Sequence, residues 1–190
     1  MSASQHYFLV AALPMLFFDN DPPLSLKSFL AFCHEQLRPA DYNSLLAARL
    51  DEPKADLVDM QPWRDWCARE TALRNELIRV RAARLNVEPE RYLRPADFRA
   101  EARAAVKSAF QEGNPRQFER ALDQARWRFL EELEIGHHFD LARLVLYSLK
   151  LQLLEKRAAR MPDPGTACFN EHYDRMLEKA GPWVSDLNNH

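Results

Sequence analysis

Four glycines in 190 residues leave little material for the left-handed turns of an all-β sandwich or for a loop that cradles phosphate. The three cysteines, Cys33, Cys67 and Cys168, are scattered and never spaced as CxxC. That argues against a disulfide framework or a zinc ribbon and suits a reducing compartment. GxxxxGK, GxSxG, HExxH and GxGxxG are all missing, so the common nucleotide-binding, esterase and zinc-protease chemistries have no foothold. Missing too is an apolar stretch of the roughly 18 to 20 residues that a membrane span needs. The nearest approach, Leu141 to Leu154, is interrupted by Ser148, Lys150 and Gln152. A formal net charge of -2 exerts no global pull on nucleic acid or anionic lipid. Tyr7 to Phe18 has the length of a signal-peptide core, but no Lys or Arg precedes it, Pro14 breaks it and Asp19-Asn20-Asp21 follows at once. It reads as structural, and the chain as cytoplasmic.

What is present is ordinary globular material, 47% hydrophobic and 28% charged, and its periodicity is helical. The composition predicts an all-α fold, a bundle of about six to eight helices forming a single domain over 1–190. The organising stretch is FDLARLVLYSLKLQLLEKRAAR, Phe139 to Arg160. Its leucines leave almost no polar side, as in a helix enclosed by neighbours. Asp140 is placed to cap its start, Lys156, Arg157 and Arg160 suit the carbonyls of its last turn, and Pro162 and Pro164 stop it.

For Tyr7 to Phe18 a short strand and a first helical turn both remain open. Ser25 is the expected cap of a helix to about Leu37, with Leu26, Phe29, Leu30, Cys33 and Leu37 on one face. A second helix after Pro39, capped by Asp41, turns Tyr42, Leu45, Leu46 and Leu50 inward. A long helix runs from Pro62 to about Asn86, one capped by Asp97 ends at Gly113, and Asn114 and Pro115 open the next, which Gly136 breaks before the core helix. Phe169, Tyr173, Met176 and Leu177 mark a last amphipathic helix. LRPADY at 37–42 recurs as LRPADF at 93–98, a helix-entry pattern or the trace of an old duplication.

Charge is unevenly placed. Residues 1–63 carry 4 basic and 8 acidic groups, residues 64–107 carry 11 and 7, an asymmetry either paired internally or offered to partners. The arginines at 64, 69, 74, 79 and 84 recur every five residues and so scatter round the helix instead of forming a stripe. Asp65 to Arg69, Glu70 to Arg74 and Glu76 to Arg79 are spaced for ion pairs along it. Arg74 and Arg81 fall at the edge of the apolar side and are the candidate partner contacts, together with Trp183 in a polar tail. For metal chemistry the candidates are Glu134 with His137, an ExxH, and Cys168 with His172, four apart, with His138 nearby. Each is half a site, and no cofactor is expected.

The opening YFLVAALPMLFFDNDPPLSLKSFLAFC, with RWRFLEEL at 126–133 and HFDLARLVLYSLKLQLLEK at 138–156, resembles an uncharacterised bacterial family whose genes lie among those of V-type ATPases. That family looks distantly similar to the C (or d) subunit, the all-helical socket between the rotating central stalk and the membrane rotor ring. Asn75, Leu77, Val80 and Arg81 in NELIRVRAARLN match a helix pattern of that subunit. The resemblance implies a non-catalytic accessory or C-like subunit whose partners are central-stalk or rotor-ring subunits, peripheral at the inner face of the membrane. At 190 residues the chain is shorter than a usual C subunit. The competing readings are a small helical-bundle metal protein or enzyme using Glu134, His137, Cys168 or His172, and a free-standing helical adaptor.

Overall fold

The computed structural model describes residues 6–97 and 99–160. Among them are seven α-helices and no strand. They are α1 Tyr7–Ala11, α2 Leu26–Gln36, α3 Pro39–Ala47, α4 Gln61–Leu85, α5 Ala100–Gln111, α6 Pro115–Leu133 and α7 Leu141–Ala158, with a 3-10 turn at Glu90–Tyr92. The architecture is therefore the expected all-α bundle, and the ambiguous N-terminal run resolves as a short helix followed by irregular chain. The chain divides into a compact unit Met1–Arg157 and a second, Ala158–His190, most of which lies outside the described residues. The helix expected around Phe169 to Leu177 lies outside them as well.

Three of the seven helix N-termini are capped by a local side chain. Ser25 Oγ accepts from the Ser28 amide at 3.0 Å, Asn114 Oδ1 from the Arg116 amide at 2.8 Å, and Asp140 Oδ1 from the Arg143 amide at 3.0 Å, each satisfying a donor that the first helical turn leaves unpaired. Asn86 closes α4 in the left-handed region, φ 53°, a conformation that Asn tolerates better than most side chains. Two expected caps are absent. Pro39 occupies the first turn of α3 after Arg38, and Asp41 lies one turn too late to cap, accepting instead from Arg38 Nε at 3.0 Å. Asp97 precedes a helix that begins only at Ala100, with Arg99 in the cap position and no side-chain cap bond. The two LRPAD copies thus differ in structure: the first opens α3, while the second runs as non-helical chain held by Asn75. That side chain donates to the Arg94 carbonyl at 2.8 Å and accepts from the Arg94 amide at 3.0 Å.

Two apolar cores lie along the bundle. The first is built from large side chains, among them Phe29, Trp63, Trp66, Phe129, Leu146 and Leu149, and α7 runs through it. Leu144, Leu149, Leu151 and Leu154 are fully enclosed, as a helix with apolar residues on almost every side requires. Leu45 and Leu50 point into it as expected, but Leu46 is exposed. The second core, Ala72, Leu73, Leu77, Ala102, Val106, Ala109 and Leu122, is contributed among the described residues by α4, α5 and α6. Helices α4 and α6 pass through both, Trp63 and Trp66 serving the first and Leu73 and Leu77 the second.

At the seam between the cores the side chains are ionic. Glu70 (1% exposed) accepts from Arg126 at 3.0 and 3.2 Å and from Arg74 Nε at 2.7 Å, and Arg126 also donates to buried Asp123 at 3.1 Å. Burial alone would weaken the Arg126 charge, but Glu70 and Asp123 outweigh it and hold the guanidinium pKa above its ordinary value. Such a cluster is costly to break because each removal leaves a buried charge unmatched.

Candidate functional site

The long helix α4 carries the residues singled out by the sequence, and the structure separates them. Arg74 is turned inward. Besides Glu70 it donates to the Asp51 carbonyl at 3.2 Å and to the Leu50 carbonyl at 3.4 Å, so it fastens the chain before α4 onto the seam. Arg81 is exposed and makes no hydrogen bond or ion pair with a described residue. It lines a shallow depression with Arg84, Phe110 and Phe118. Trp183 lies outside the described residues. Of the four residues singled out on α4 for the expected resemblance, Asn75 and Leu77 are buried, Val80 is half-buried and Arg81 is exposed.

The pairing expected along α4 holds for Glu70 with Arg74 and for Glu76 with Arg79. It fails for Arg69, which reaches across to Glu132 on α6 at 2.5 Å while Asp65 accepts from Gln61 at 3.0 Å. The remaining tryptophans are packing residues. Trp63 and Trp66 are fully buried and Trp127 nearly so.

A feature that no single stretch of sequence displays is a groove of about 770 Å³ between α4 and α5. Glu76, Arg79, Val80 and Ala83 face it from α4, and Arg103, Val106, Lys107 and Phe110 from α5. Each set recurs at i, i+3, i+4 and i+7, one helix face apiece. Val80, Ala83, Val106 and Phe110 are its apolar side chains, and Arg79, Arg103 and Lys107 its cations. Glu76, its carboxylate, is already paired with Arg79. Arg103 and Lys107 are exposed and have no ion-pair partner among the described residues. Arg84 lies over the Phe110 ring at 4.3 Å, a cation on an aromatic face. The signal in the sequence was the coincidence of these two mixed stripes, visible only once α4 and α5 are known to pack together.

The ExxH candidate is occupied by other bonds. Glu134 caps the C-terminus of α6, and its Oε2 accepts from Lys150 Nζ at 2.7 Å and from Arg143 Nη1 at 2.7 Å. His137 Nδ1 pairs with Asp140 Oδ2 at 2.5 Å. Gly136, at φ +87°, turns the chain between them, so the two no longer share a helix face. His138 is exposed, and Cys168 and His172 lie outside the described residues. Among the described residues no cluster of three or more His, Cys, Asp or Glu is placed to hold a metal. Burial pushes the thiols of Cys33 and Cys67 up to about 12, the opposite of what a nucleophile or metal ligand needs. No helix among the described residues is long and apolar enough to cross a membrane.

Compared with known proteins, the chain matches no family model, no curated protein and no solved structure.

Proposed function

We propose that this protein is a non-catalytic helical component that works by docking, and specifically an accessory or C-like subunit of a bacterial V-type ATPase, in line with its resemblance. The observation that carries the docking role is the outer face of α4 and α5. Arg103 and Lys107 line the groove and Arg81 a separate depression, all three without carboxylate partners among the described residues. The buried and half-buried charges Glu70, Arg74, Arg126, Glu134 and Lys150 are bound to one another or to backbone; exposed Lys27, Arg91 and Arg128 also lack a partner among the described residues, so what sets the α4/α5 face apart is the groove beside its cations. Unmatched cations around an apolar surface are what a protein interface supplies, steering by charge and holding by contact. In this role the protein is peripheral at the inner face of the membrane through its partners, central-stalk or rotor-ring subunits, and it transmits or stabilises instead of hydrolysing.

Affinity purification of the tagged protein from its native cell tests this. Stalk or ring subunits recovered in fixed ratio support the coupling role. The protein recovered alone, from cells shown to contain the assembled ATPase, removes it. Arg81→Ala is expected to lower recovery while leaving the melting temperature unchanged, whereas Arg74→Ala lowers the melting temperature first.

A further inference from the structure

We infer that the α4/α5 groove is the docking site for an acidic amphipathic helix of a partner protein. The inference rests on the docking role proposed above and names the partner's chemistry. Among the described residues the second core is closed by three helices, α4, α5 and α6, whereas a bundle core is ordinarily shared by four. The vacancy is the groove itself, about 770 Å³, with parallel stripes from two helices as walls, a shape that accepts a helix laid between them. Val80, Ala83, Val106 and Phe110 give an incoming apolar stripe its contacts. Ala83 leaves room for a larger side chain, since it is exposed.

The charge fixes the sign of the partner. Arg79, Arg103 and Lys107 line the groove, and its carboxylate, Glu76, is already neutralised by Arg79. A helix flanked by Lys or Arg would meet like charge, and one flanked by Asp or Glu would meet cations not yet matched. A nucleic acid strand is the poorer fit, because Phe110, with Arg84 already over one face of its ring, is the one aromatic side chain lining the groove, too little for successive bases to stack on.

The experiment uses the full-length protein and two labelled peptides of about four helical turns, with identical leucine stripes and either glutamate or lysine flanks, read by fluorescence anisotropy. The glutamate peptide is expected to bind at least tenfold tighter than the lysine peptide, and to weaken as salt is raised. Ala83→Trp, which fills the groove from an exposed position, is expected to abolish binding with an unchanged circular dichroism spectrum. Arg103→Glu with Lys107→Glu is expected to reverse the preference. Equal affinities, no binding by either peptide, or binding that survives Ala83→Trp overturns the inference. So does a dimer of the native protein that Ala83→Trp dissolves, which would make the occupant a second copy. A synthetic peptide of residues 161–190 that competes as well as the glutamate peptide overturns it too, by naming this chain's own sequence as the occupant. Peptide binding without recovery of ATPase subunits from cells refutes the coupling role alone. Subunits recovered undiminished with Ala83→Trp refute the groove alone.

Discussion

The two cores solve the same problem with different materials. Around α7 the interior is Trp, Phe and Leu, and its elements come from both ends of the described chain. In the α4–α5–α6 end it is largely Ala, Val and Leu, and its elements are consecutive. Large side chains bury more apolar surface each, while alanines let backbones approach closely and bury less. The first core accordingly buries more apolar surface per residue, and the second is a closely apposed platform with a groove between α4 and α5. In the docking role proposed above, holding shape and accepting a partner are thereby kept apart.

The largest expected effect is in the first core. Trp66→Ala should cost about 3–5 kcal/mol, read as a lowered denaturation midpoint, with amide protection lost in α2 and α7 before α5. If α5 exchanges first, the two cores do not divide the labour as described. Next comes the seam. Glu70→Gln leaves Arg126 with Asp123 as its one carboxylate partner and should cost about 3 kcal/mol, while Glu70→Gln, Asp123→Asn and Arg126→Met together should recover much of it. A triple variant no better than the single would mean that the ions are not coupled.

Ala109→Leu adds three carbons at a fully buried position of the second core. It should cost about 1–3 kcal/mol and loosen α5 without disturbing α7, which exchange measured helix by helix would show. The smallest effect is alkaline. Burial pushes Cys33, Cys67 and Tyr147 up to about 12 from ordinary values of 9.0, 9.0 and 10.0. The folded state therefore keeps their protons when the unfolded chain has released them. Their contribution is full below about pH 9 and fades as pH rises toward 12. All three belong to the first core and no second-core residue titrates, so a pH titration should loosen α7 before α5, and Cys67→Ala should blunt the decline.

Much of this was legible in the sequence where the cause is local. The apolar run of α7, the caps Ser25, Asn114 and Asp140 and the stop at Gly136 act within a few residues of themselves. The failures are cases where a nearer or more distant group claims the side chain. Arg38 takes Asp41, and Glu132 on another helix takes Arg69 at a distance of 63 residues along the chain. The second LRPAD does not begin a helix because Asn75 holds its backbone. The ionic seam joins Glu70 to Arg126, 56 residues apart, and the groove joins stripes on separate helices, so neither has a linear signature. Arg74 and Arg81 both fall at the edge of the apolar side, and Glu70 together with the Leu50–Asp51 backbone claims the first and not the second.

The bonds that fasten α7 to the N-terminal elements also fix an order of events during synthesis. Glu155 accepts from the Leu26 amide and Gln152 from the Leu50 amide, Tyr147 donates to the Pro14 carbonyl, and Arg157 to that of Phe18, spans of 102 to 139 residues. None of them can form until the last described helix has left the ribosome. The α4–α5–α6 platform closes over short spans and needs no such wait. Helices α1 to α3, made first, must remain without their main partner while most of the described chain is translated, and a stall before residue 141 would leave Phe29 and Cys33 exposed.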